Sequence, residues 1–128
     1  MRLTFLLIIL TIFLIPCESV AQNYYWVAFK DKANSPFSLL SPQEYLSEKA
    51  IERRNRQSIA IDSLDLPVNS SYIEQITQLG ATFVHASKWL NGITVKVFDT
   101  DFPKQAMNLP FVKEVQLTKR SGNTKSAT

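Results

Sequence analysis

Ala81-Thr82-Phe83-Val84-His85-Ala86-Ser87-Lys88-Trp89-Leu90-Asn91-Gly92-Ile93-Thr94-Val95-Lys96-Val97-Phe98 reads as two strands and a short connection. Ile93, Val95 and Val97 alternate with Thr94 and Lys96, the two-residue period of a strand with one face in a core. Lys88 to Asn91 lies between the strands, and Asn91-Gly92 is itself a candidate two-residue turn. On either reading the segment is a hairpin.

Helices flank the hairpin. Upstream, Tyr72, Ile73, Ile76 and Leu79 share one side of a helix that begins near Asn69–Ser71. Ser71 and Glu74 stand at capping-box spacing, and Gly80 occupies the position where a left-handed residue ends a helix. Downstream, Asp99 and Asp101 offer caps for a short helix over 101–109, stopped by Pro110. Phe111 to Leu117 reads as a last strand, and the aromatic, β-branched run Tyr24 to Phe29 as a first one. The residual segment, about 41–68, reads as an insert. In it Ser41-Pro42-Gln43-Glu44 starts a helix reaching Arg56 or Gln57, with Tyr45, Leu46, Ala50 and Ile51 on its apolar side. An extended stretch follows and ends at Leu66-Pro67-Val68. The order βαββαβ, with an extra inserted helix, predicts an α+β ferredoxin-like sandwich: a four-stranded antiparallel sheet with two helices on one face and the other face open.

The chain has 128 residues and one cysteine. Met1-Arg2 and the apolar run Leu3 to Ile15 precede Ser19-Val20-Ala21, a small-residue cleavage pattern, so residues 1–21 read as a secretory signal peptide cleaved after Ala21. The run is shorter than the roughly 20 residues a membrane-spanning helix needs. The expected location is therefore secreted or periplasmic, with no membrane association after cleavage. Cys17 leaves with the signal, so neither a disulfide nor a thiolate ligand is expected. The net charge of +3 is unchanged by the cleavage, because the signal carries one Arg2 and one Glu18. The folded domain is expected over 22–118, followed by a disordered basic tail or linker over 119–128.

Few residues are available for chemistry. His85 is the one histidine and sits within a strand. The three glycines, Gly80, Gly92 and Gly122, form neither a nucleophile elbow nor a phosphate loop. No catalytic residue, metal site or cofactor is expected. Asp62 and Asp65 lack further ligands at useful spacing and read instead as partners for Arg53 and Arg54, pinning the insert to its helix. The basic run Glu52 to Gln57 beside Tyr24, Tyr25 and Trp26 raises RNA binding, but the third strand lacks the glycine-aromatic signature of a stacking platform, so no nucleic-acid partner is expected. Asn69-Ser70-Ser71 is a glycosylation sequon.

Taken in order, several motifs resemble the N-terminal propeptide, or peptidase-inhibitor domain, of secreted bacterial subtilisin-like serine proteases. Tyr25-Trp26-Val27-Ala28-Phe29-Lys30 resembles the first strand and Leu79-Gly80-Ala81-Thr82-Phe83 the entry to the second. Leu90-Asn91-Gly92-Ile93-Thr94-Val95 is similar to the third strand, and Leu109-Pro110-Phe111-Val112-Lys113-Glu114-Val115 to the last. The block Ser47 to Gln57, continuing through Ile61 to Asn69, resembles an insert found in one bacterial subgroup. The resemblance implies a module that binds a subtilisin-like protease domain, in cis or in trans, assisting its folding and inhibiting its active site. It implies Glu114, Asn91 and Gly92 in docking and Gln116, Leu117, Thr118 and Lys119 in the protease cleft. It further implies that the chain is the N-terminal part of a subtilisin-like endopeptidase precursor and not an enzyme by itself. Where related propeptides carry acids after the last strand, this one has Gln116-Leu117-Thr118-Lys119-Arg120. The alternative is a secreted ferredoxin-like domain with a non-protease partner.

Overall fold

The computed structural model describes residues 21–120. The signal-peptide reading therefore lies, apart from Ala21, outside the described residues, as does the tail after Arg120. The strands are β1 (Asn23–Phe29), β2 (Thr82–Ser87), β3 (Gly92–Val97) and β4 (Val112–Arg120). The helices are α1 (Glu48–Arg56), α2 (Ser70–Gln78) and α3 (Phe102–Met107), with a short 3-10 turn at Pro42–Glu44. The sheet order is β2-β3-β1-β4 and every neighbouring pair is antiparallel. This is the doubly split βαβ arrangement expected for a ferredoxin-like sandwich.

Alternation along the strands decides the two faces. Tyr25, Val27 and Phe29 of β1 and Ile93, Val95 and Val97 of β3 are buried in one cluster with Ile76 of α2 and Phe102 and Ala106 of α3. Val27, Ile76, Ile93, Val95, Val97, Phe102 and Ala106 have no residual exposure. Burying each larger apolar side chain of this kind contributes about 1.5–3 kcal/mol. Tyr72 closes one end of the core. It stacks on Phe111 with centroids 4.1 Å apart and meets Phe29 edge-on.

Several local expectations need correcting. The insert helix does not run from Ser41. Ser41 makes no side-chain cap, and the turn Pro42–Glu44 ends at Tyr45. Tyr45 turns onto Phe37, and Leu46 is buried. The chain restarts at Ser47, whose Oγ accepts the Ala50 N–H and caps α1. The nearer cap wins because Leu46 is drawn inward, leaving Ser47 extended, as an N-cap requires. No residue of α1 itself is buried.

The cap of α2 is Asn69 rather than Ser71. Its Oδ1 accepts the Ser71 N–H while its Nδ2 donates to the Ala33 carbonyl. At 2% exposure Asn69 has its amide committed to the fold, so the sequon lies on a buried side chain. Before α3 it is Asp99, not Asp101, that bonds: its carboxylate accepts the Asp101 N–H and a Gln105 Nε2 proton. The β2–β3 connection is the four residues Lys88–Asn91, with Ser87 opposite Gly92. Asn91, at φ 48, is its last residue and not part of a two-residue turn. β4 continues past Leu117 to Arg120, so Lys119 and Arg120 belong to the sheet and not to a tail. Gly80, at φ +86, ends α2 as its position requires.

Candidate docking face and insert

The face opposite the helices is the candidate site. Its residues follow from strand register. β1 presents Tyr24, Trp26 and Ala28; the residues opposite these are Lys96, Thr94 and Gly92 on β3 and Lys119, Gln116 and Glu114 on β4. On the outer strand, Thr82, His85 and Ser87 stand opposite Lys96, Thr94 and Gly92. Irregular pairing between Phe83 and His85 keeps His85 on this side. Thr82, His85, Glu114, Gln116 and Lys119 are exposed, whereas Trp26 is partly buried and Gly92 buried. The face is thus a central aromatic strand between polar flanks.

Strand geometry separates the residues that resemblance had grouped. Gly92 and Glu114 lie on the open face. Asn91 does not. Its backbone accepts the Phe29 N–H at 2.8 Å, and its Nδ2 donates to the carbonyls of Asp31, at 2.8 Å, and Phe29, at 3.3 Å. Asn91 thus ties the hairpin to the exit of β1. Gln116 and Lys119 lie on the open face within β4, while Leu117 pairs with Tyr25 on the helix side. Thr118 occupies a bulge and donates its hydroxyl to the Tyr24 carbonyl at 3.0 Å. All four residues expected in a cleft are thereby held against β1.

Of the insert arginines, Arg54 pairs with Asp65; Arg53 is exposed. Asp65 has only 1% of its side chain exposed and also accepts the Asp62 N–H at 3.2 Å. Asp62 turns instead to the Leu64 N–H. A second cation, missed in the sequence, fastens the insert: Lys32 Nζ donates to the carbonyls of Ser63, Leu64 and Leu66 at 3.1, 3.1 and 2.6 Å. Burial, reinforced by Lys88, lowers the Lys32 pKa. No sequence pattern marks a lysine that will cap a turn some thirty residues away.

At the junction of β1 and α2, Asp31 accepts the Ala33 N–H and the Tyr72 hydroxyl. These bonds hold its carboxyl below the usual range and push the Tyr72 hydroxyl up. A groove of about 490 Å³ runs beside this junction, lined by Lys30, Lys32, Leu64, Leu90, Asn91 and Lys113 among others. It lies at the end of the sheet remote from the close of β4. Among the described residues there is no group of three or more potential metal ligands, and no helix is long and apolar enough to cross a membrane.

No curated protein and no solved structure matches the chain. A family match does exist, to the peptidase S8 propeptide domain of Bacteroidota, over residues 24–128. That span contains all four strands and all three helices but for the first residue of β1, and the chain therefore belongs to the peptidase S8 propeptide domain family.

Proposed function

We propose that the chain, once freed of its signal peptide outside the cytoplasm, binds the catalytic domain of a subtilisin-like serine protease, assists its folding and restrains its active site. The observation that carries this reading is the open sheet face, on a chain whose family is defined by such propeptides. A sheet with one face in a core and an aromatic strand at the centre of the other has surface to lend a partner. Lent before the protease core has formed, that surface lowers the barrier to folding; kept afterwards, it holds an inhibitor in place.

Gln116, Leu117, Thr118 and Lys119 pair with β1 along one edge of β4, and β4 is an outermost strand of the sheet, so its other edge is the one proposed to meet the protease cleft. Glu114 and Gly92 remain on the docking side, and Asn91 acts one step back by fixing the hairpin.

Refolding tests this function. A denatured peptidase S8 catalytic domain from Bacteroidota is diluted into buffer with and without the full chain lacking residues 1–21. Recovery of native protease, assayed after the bound chain has been removed, is expected to rise with chain concentration and saturate near one equivalent. Equal recovery with and without it would contradict the folding role.

A further inference from the structure

We infer that Trp26 is the anchor of the docking face, and that Gly92 exists to position it. This rests on the docking proposed above. Trp26 stands opposite Thr94 but reaches diagonally to Gly92. A Cβ at Gly92 would lie 2.5 Å from Trp26 Cζ2, 2.8 Å from Cη2 and 2.5 Å from the Val27 carbonyl oxygen. The carbonyl belongs to the sheet, so a side chain at position 92 would have to displace the indole and also shift the β1–β3 backbone at Val27. The absence of one lets the ring lie down across the β1–β3 pair.

The location is that of a binding hot spot. Trp26 is on one of the two central strands of a four-stranded face, between Gln116 on β4 and Thr94 on β3, with the exposed His85 of β2 beyond Thr94. An aromatic at the centre with a polar rim is the anatomy of interfaces whose energy is concentrated in a few residues, tryptophan foremost. The ring is already fixed by Gly92, so binding costs little further side-chain entropy. The occupant is the protease domain, meeting Trp26 with an apolar surface and the flanks with polar groups. Trp89, exposed at the hairpin tip beneath the Lys88 ammonium, lies in the turn outside the paired strands and serves as an internal control.

The test uses the mature chain labelled with 5-fluorotryptophan, its two resonances assigned with Trp89→Phe, and an unlabelled S8 catalytic domain whose nucleophilic serine is replaced by alanine. Binding is expected to shift the Trp26 resonance and leave that of Trp89 in place. Trp26→Ala should weaken inhibition of the active protease by roughly 30-fold or more, and Trp89→Ala by less than about threefold. Gly92→Ala should move the Trp26 resonance in the free chain and weaken inhibition, and should weaken it much less in a Trp26→Ala background, where only the clash with the Val27 carbonyl remains. Weakening of equal size in both backgrounds would overturn the positioning role. Binding that leaves the Trp26 resonance unmoved, or moves that of Trp89 alone, would overturn the anchor while leaving the docking itself intact. A Trp26 resonance that moved with the chain's own concentration would assign the face to a second copy. Absence of any binding by the unsubstituted chain would sink the docking proposal and the anchor with it.

Discussion

Replacing Arg54 by alanine would strand a carboxylate that has almost no contact with water. Asp65 would keep one backbone N–H and lose its counter-charge, a change that costs about 3 kcal/mol when one partner of a buried pair is removed. In a domain of this size that lowers the melting temperature by more than about 10 °C. Arg53→Ala, on an exposed side chain, should fall within about 0.5 kcal/mol of the parent. Thermal melts of both variants check the contrast, and equal effects would contradict the pairing. Asp31 carries a pH signature. Its folded pKa is depressed by the Ala33 N–H and the Tyr72 hydroxyl, so its contribution is present above its ordinary value of about 3.9 and is lost as pH falls through the lower folded value. The gap in melting temperature between the parent and Asp31→Asn should be full above about pH 5 and close well below pH 4. A gap constant across that range would refute it.

At the scale of elements, the two helix caps rank themselves. Ser47 is exposed and makes one long bond of 3.3 Å, so Ser47→Ala should cost about 1 kcal/mol or less. Asn69 is buried and bonds both ways, to Ser71 and to Ala33. Asn69→Ala should cost about 2 kcal/mol, because it also leaves the Ala33 carbonyl unpaired. Denaturant titrations of the pair give the ranking. These caps also show what local sequence can and cannot convey. Strand β3 was legible because Ile93, Val95 and Val97 alternate with Thr94 and Lys96, β1 because its run is aromatic and β-branched, and the end of α2 because a glycine, Gly80, stands where a positive φ is needed. The start of α1 was not, because Ser41-Pro42-Gln43-Glu44 has the local pattern of a helix start, and the restart at Ser47 goes with the burial of Leu46, a tertiary event. The continuation of β4 to Arg120 was hidden for a similar reason. Polar Thr118 and Lys119 look like tail, yet they have β1 beside them to pair with.

The two faces of the sheet differ: one holds the domain together, and the other is the face proposed to meet the protease. The order of elements made the two faces legible in advance, since a βαββαβ chain places its two crossover helices on the same side. Which residues of the open face matter was not legible, because the lean of Trp26 onto Gly92 is a diagonal contact between strands far apart in sequence. The insert, by contrast, is fastened beside the sheet through Lys32 and Arg54. Lys32→Met, which removes three donors from the turn at Ser63–Leu66, is expected to loosen the insert without disturbing the docking face. Faster proteolytic nicking within 57–64 at unchanged affinity for the protease would report this, and a matching loss of affinity would contradict it. Restraint of a subtilisin-like protease by this domain can be read from a progress curve. A peptidase S8 catalytic domain cleaving a small chromogenic peptide is mixed with increasing amounts of the mature chain. Saturable inhibition is expected, competitive with the peptide and weakened by Trp26→Ala; curves unchanged at a large molar excess of intact, folded chain would mean that the domain does not restrain the protease.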